Sequence, residues 1–256
     1  MSSYNFHHHV ASDIAIGNHY LDPQSSKSQQ YLDKISDWTK RQEMKLNSNK
    51  TKYMIFNPSK NHQFNTRLEL EGQVIEQVQE TKLLGVIIRD DLSWKSNTRF
   101  ITKKAYKRMI ILKNLFHFNL PLIEMLEIYS LYIRSVVEQA SVVWSSSLTK
   151  GEQLDLERVQ KVALKIIMQD NYISYSHALK VTGLPTLKAR RNKLSLNFAK
   201  NCLKNEMTSD MFPRNNNVVN TRQHEQYYVP HAKTERFAMS AIPHMARQLN
   251  DHAKSV

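Results

Sequence analysis

The apolar residues of this chain change period at Trp94. Before it they come in short alternating runs; after it they recur every three to four residues as far as position 205. Alternation buries one face of a strand, and the longer period buries one stripe of a helix. The chain is therefore read as α+β, mainly α, with a small antiparallel β region followed by a multi-helix bundle. Only 5 glycines in 256 residues agree with a mostly helical protein. A chain of this length can bury a substantial core.

Residues 1–26 read as an irregular segment. From Ser28, SQQYLDKISDWTKRQEMKL places Tyr31, Leu32, Ile35, Trp38 and Gln42 at helical spacing, and NSNK after Leu46 stops the helix. KYMIF follows as a short strand closed by Asn57 and Pro58. RLELEGQVIEQV alternates around Glu71 and Gly72, a hairpin with Leu68 and Leu70 opposite Val74 and Ile75. TKLLGVIIRDDLSW reads as one further strand, covered on both faces, with Gly85 at its centre. A glycine there implies that another backbone or a ligand comes close.

Past Trp94, the segment 96–115 turns Ile101, Ala105, Met109 and Leu112 to one side, and 122–144 does the same with Met125, Tyr129, Ile133, Val136 and Ala140. Thr149 and Glu152 predict a capping box for a helix over 150–169 that buries Leu156, Val159, Ala163 and Ile166. A short helix over 175–182 ends at Gly183, a C-cap position. The next starts at Thr186 and buries Leu187, Leu194, Phe198 and Cys202. The stretch beyond Pro213 reads as loop, and TERFAMSAIPHMARQLN as a proline-interrupted helical segment.

The net charge of +13 is unevenly spread: residues 99–206 carry 18 Lys/Arg against 8 Asp/Glu, and residues 1–98 carry 12 against 11. A basic region beside a neutral one points to a polyanionic partner, nucleic acid above all. Arg99, Lys103 and Lys107 repeat every four residues, Lys104 and Arg108 form the neighbouring row, and Tyr106 stands among them for stacking. No acid shares that helix. Such a ridge can follow a phosphate backbone. A second cluster, Lys188, Arg190, Arg191 and Lys193, opens the helix after GLPTL, in a short helix–turn–basic helix outline. For either cluster an ordinary solvated face is the competing reading.

Asp90 and Asp91 form an adjacent acid pair, but two-metal phosphoryl transfer needs further carboxylates, and none lies near in sequence. They read as the turn that ends the strand. His117, His177 and His224 lack partners at metal-ligand spacing, as do His7, His8 and His9. No nucleophile triad or phosphate-cradling glycine loop occurs. One cysteine, Cys202, excludes a disulfide framework and suggests an intracellular protein. No run approaches a membrane span, and MSSYNFHHHVASDI has no signal-peptide apolar region.

Taken in order, ISDWTKRQEMKLNSNKTKYMIF, TKLLGVIIRDDLSW, IYSLYIRSVVEQASVVWSSSLT, LERVQKVALKII and GLPTLKARRNKLSLNFAKNC resemble the downstream half of LINE-type (non-LTR) retrotransposon reverse transcriptases, the jockey-like group in particular. RFAMSAIPHMARQLN resembles that family's end, so the likeness runs from Ser28 to Asn250. It implies a palm remnant with a primer-grip strand over 27–95, a basic helical thumb and post-thumb region over 96–206, and a loop with a C-terminal helical segment over 207–256. Leu84, Gly85 and Val86 would belong to the primer grip, and the two basic clusters would hold the template-primer. Lys50 matches a motif lysine, a vestigial general acid toward the leaving pyrophosphate if it is more than a solvated turn residue.

The family's metal-binding aspartates lie upstream of the matching pieces, and Asp13 stands in no matching context. The expectation is thus a truncated RNA-directed DNA polymerase fragment, inactive alone, whose partners are RNA and DNA and not a membrane. It would need no cofactor of its own; Mg2+ would serve only an intact family member. A nuclear site of action is implied by the resemblance. The alternative is an independent basic helical nucleic-acid-binding protein without enzymatic activity.

Overall fold

Helix α1, Ser28–Arg41, buries Leu32, Ser36 and Thr39. This differs from the expected stripe, since Tyr31 and Trp38 are each 38% exposed. The side-chain amide of Gln29 sets the orientation: it donates to the Glu69 carbonyl at 2.8 Å and accepts from the Glu69 N–H at 2.9 Å. The helix stops at Arg41, before NSNK, because Glu43 takes a left-handed φ of 57° and Met44 N–H closes back on the Thr39 carbonyl at 2.8 Å. These details come from the computed structural model, which describes residues 15–17, 27–56, 67–215 and 226–254. The readings for most of 1–26, for Asn57 and Pro58, for His7, His8, His9 and Asp13, and for His224 fall outside the described residues.

The chain divides into two compact units, Met1–Glu80 and Thr81–Val256. In the first, β1 (Lys52–Tyr53) pairs parallel with β4 (Glu76–Gln77). β2 (Glu69–Leu70) and β3 (Gln73–Val74) form the predicted hairpin, with φ of 52° at Glu71 and 78° at Gly72. Two successive left-handed residues are what a two-residue hairpin turn requires. The register sets Glu69, not a leucine, opposite Val74, so Val74 is exposed while Leu68, Leu70 and Ile75 are buried. With Leu32 these three form the buried apolar cluster among the described residues of this unit, edged by Leu46 and Tyr53. Trp38, Met54 and Ile55 remain partly exposed. Two-residue strands over so small a core are marginal on their own. Amide hydrogen exchange is therefore expected to be faster throughout 28–80 than in the long helices of the second unit; equal protection in both would contradict this.

The second unit opens within β5 (Glu80–Leu83), which with β6 (Val86–Arg89) makes a pair of hydrogen-bonded neighbours joined by Leu84 and Gly85. The single strand read from TKLLGVIIR is thus a hairpin, and Gly85 sits in its turn: φ is 47° at Leu84 and 88° at Gly85. An apolar residue at the first turn position hides this from the pattern. Helix α2, Lys95–Phe116, buries Ile101, Ala105, Met109 and Leu112 as the periodicity predicts. β6 packs on it, Val86 entering the core and the Ile87 N–H donating to Asn97 Oδ1 at 3.1 Å. The hairpin therefore packs with the helices of the second unit, which begins at Thr81.

Leu122–Glu138 is one continuous helix: α3 (Leu122–Ile128), a π-helical turn at Tyr129–Arg134, and α4 (Ser135–Glu138). Ala140, expected inward, is exposed and left-handed at φ 49°, and breaks the helix. Its place in the core passes to Trp144 of α5 (Ser141–Trp144), fully buried with Nε1–H donating to the Gln139 carbonyl at 3.1 Å. Helix α6, Lys150–Met168, carries the predicted Thr149–Glu152 capping box, and α7, Tyr175–Thr182, ends at Gly183 with φ 67°.

Helix α8, Leu187–Leu203, buries Leu187, Arg191, Ser195, Ala199 and Cys202, one residue every three to four. Helices α5, α6 and α10 pack against α8, while Phe198 is left exposed and Leu194 half-buried, contrary to the apolar pattern. After α9 (Glu235–Ala238), α10 runs unbroken over Ala241–Lys254. Pro243 lies in its first turn, where the missing N–H has no intrahelical acceptor. Met245, Ala246 and Leu249 of α10 join Ala199, Cys202 and Phe212 in a second apolar cluster, so the C-terminal segment packs on α8. The whole is α+β, mainly α.

Candidate nucleic-acid interface

Helix α2 bears seven bases and no acid between residues 95 and 116. Its core face fixes what the opposite face shows: Arg99, Lys103 and Lys107 are exposed one turn apart, with Tyr106 39% exposed among them. Arg99, Thr102, Lys103, Tyr106 and Lys107 line one shallow surface. None of the three cations has an acidic partner among the described residues. Burial raises the Tyr106 phenol above its ordinary pKa, and the Arg158–Asp155 pair of α6 (2.9 Å) lies beside it with opposing effects. Ile110, on the same face, is 63% exposed. Its spacing from Lys103, Tyr106 and Lys107 places it with them in the sequence as well. Cations in a row with an aromatic and an aliphatic between them can bind phosphates and contact bases.

The neighbouring row behaves differently. Lys104 and Arg108 are half-buried. Arg108 donates from Nη1 to the Tyr132 carbonyl at 2.6 Å and lies 4.4 Å over the Tyr132 ring, so it ties α2 to the π-helical turn. The second sequence cluster separates likewise. Lys188 and Lys193 are exposed. Arg190 is bound by both oxygens of Glu138, Nη2 at 2.9 Å, and that carboxylate raises its pKa against the opposing effect of burial. Arg191 is 2% exposed, and burial pushes its pKa down although Glu157 and Glu138 oppose this. Neither arginine reaches solvent as a free fork.

The acids that hold this region together were not legible. Glu157 accepts from Leu187 N–H at 3.1 Å, from Lys188 N–H at 3.3 Å and from the Tyr175 hydroxyl, closing the start of α8. Fully buried Gln160 accepts from the Tyr129 hydroxyl at 2.7 Å and donates to the Tyr175 hydroxyl at 3.0 Å and the Pro185 carbonyl at 2.9 Å.

At the hairpin, Leu84 is 79% exposed, Gly85 half-buried and Val86 buried. A Cβ on Gly85 would stand 2.5 Å from Gln139 Nε2. The close approach expected there is thus made by the chain's own Gln139, and the turn's left-handed φ adds a second reason for glycine. The hairpin is held along α2 by Lys82, 4.8 Å over the Phe100 ring. Lys50 lies exposed in a turn begun by Asn47, whose side chain accepts the Lys50 N–H at 3.1 Å; it belongs to the first unit.

Asp91 does what the turn reading expects. Its carboxylate accepts the Ser93 N–H at 2.9 Å and Arg89 Nε at 3.1 Å. Burial alone would raise its pKa, but those hydrogen bonds and the arginine's charge hold it at about 2. Among the described residues no group of three or more His, Cys, Asp or Glu side chains could hold a metal ion. No helix among them is long and apolar enough to cross a membrane.

No known protein family matches the chain, and no solved structure matches it. Among curated proteins it is similar to a probable RNA-directed DNA polymerase from transposon BS of Drosophila melanogaster, 28% identical over 101 residues. The match spans 39% of this chain and 11% of that polymerase. Part of the chain is thus related to a transposon reverse transcriptase.

Proposed function

We propose that this chain is the template-primer-holding part of a LINE-type, jockey-like non-LTR reverse transcriptase, with α2 as a thumb helix on the phosphates and the Leu84–Gly85–Val86 turn as its primer grip. The observation that carries the reading is the exposed Arg99–Lys103–Lys107 row around Tyr106, whose cations have no acidic partner among the described residues, in a chain similar to a transposon polymerase. RNA and DNA are the partners. No aromatic-x-Asp-Asp signature occurs in these residues, so chemistry is not expected from them alone.

Fluorescence anisotropy with a labelled RNA–DNA primer-template, followed by primer extension in Mg2+, tests both halves. The expected result is binding that weakens steeply with salt and no extension. Salt-insensitive binding would overturn the holding role, and templated synthesis would overturn the inactivity. A second reading, an independent basic nucleic-acid-binding protein, is favoured by one observation: the second unit has its own apolar core, built from β6, α2 and the helices that follow.

A further inference from the structure

Two lysines outside the α2 face are parked over tyrosine rings. Lys161 lies 5.1 Å from the Tyr175 ring centroid, and Lys165, one turn along α6, lies 5.5 Å from that of Tyr172. Between the two tyrosines Ile173 is 76% exposed, in the connection from α6 to α7. Lys188 closes the group, because its own N–H and the Tyr175 hydroxyl bind the same Glu157 carboxylate. Glu157 is committed to these bonds and to Leu187 N–H. Residues 161–188 carry four lysines against a single acid, Asp170.

We propose that Lys161, Lys165 and Lys188, with Tyr172 and Ile173, form a second nucleic-acid site that takes an unpaired strand. A lysine over a ring is held by a weak attraction at an exposed site. A phosphate competes for the ammonium with a full charge, and a base competes for the ring face by stacking. The lysines swing to the strand as it enters, and the rings they covered become available to bases. A duplex offers phosphates but keeps its bases stacked on one another, so the aromatic half of this site favours single strands. The partner class is that of the proposed function; Lys188 also belongs to the second basic cluster of the sequence, and the other residues are separate from both clusters.

The test is lysine acylation mapped by mass spectrometry on the intact chain, free, with a single-stranded oligonucleotide and with a duplex. Protection of Lys161, Lys165 and Lys188 by the single strand is expected, with much less by the duplex. Lys161→Gln with Lys165→Gln should flatten the single-strand salt dependence by about 1.4 in log–log slope. Tyr172→Leu should weaken single-strand binding about tenfold without changing that slope. Protection confined to Lys103 and Lys107 would overturn this site and leave the α2 reading intact. Protection at 161, 165 and 188 alone would support it and overturn the α2 reading. Equal protection by duplex and single strand would overturn the preference for unpaired nucleic acid.

Discussion

Replacing Arg99, Lys103 and Lys107 together with alanine is expected to weaken primer-template binding roughly 100-fold near physiological salt and to lower the log–log salt slope by about 3. Each exposed cation that neutralises a phosphate releases about one counterion, so three lost contacts appear in the slope as well as in the affinity. The variant should fold, because all three side chains are exposed and no acid among the described residues depends on them. Arg108→Ala is the informative contrast. It removes the bond to the Tyr132 carbonyl and the contact with the Tyr132 ring, so it should lower stability while moving the slope far less. An unchanged slope in the triple variant would show that the acid-free face is only a solvated one.

Glu138→Ala is expected to be the most destabilising single substitution in the polar interior, at about 3 kcal/mol. Its carboxylate, 12% exposed, binds Arg190 through both oxygens and stands 3.8 Å from Arg134 Nε. Truncation leaves two poorly hydrated guanidinium groups without their counter-charge, and that desolvation outweighs the loss of a surface-type ion pair. Arg190 keeps 30% of its side chain in water, which puts the figure at the low end for a buried pair. In a unit of this size it corresponds to a melting temperature about 10 °C lower. Glu138→Leu combined with Arg190→Met should recover the part of the loss that comes from Arg190, since an apolar pair needs no counter-charge, while Arg134 still lacks one. A melting temperature within about 2 °C of the parent for Glu138→Ala would contradict the interior role.

What the sequence disclosed follows from which interactions are local. The α2 core row, the Thr149–Glu152 box and the Gly183 stop all depend on residues within one or two turns, so their patterns are visible in one dimension. The break at Ala140 carries no glycine or proline, and the turn at Leu84 and Gly85 lies inside an apolar run; the periodicity gives no sign of either. Helix α8 misled for a different reason. Its inward row contains Arg191 and Ser195, the burial of the Arg191 charge being opposed by Glu157 and Glu138, while Phe198 stays outside.

The same distinction governs the candidate interface. Arg99, Lys103, Tyr106 and Lys107 were legible as a charge period and are exposed. Arg108 and Arg190 look equivalent to them in sequence, but their partners lie 24 and 52 residues away and occupy them. Lys161 and Lys165 give no sign of this in the sequence, because the tyrosines they cover lie in the α6–α7 connection and at the start of α7.

The central claim is that the outward face of α2 touches nucleic acid, and a photoreactive phenylalanine placed at position 106 asks this most directly. With a labelled RNA–DNA primer-template under irradiation, the account predicts a covalent adduct at 106 that disappears as salt is raised. Undiminished binding with no adduct at 106, and adducts from probes elsewhere on the second unit, would contradict it.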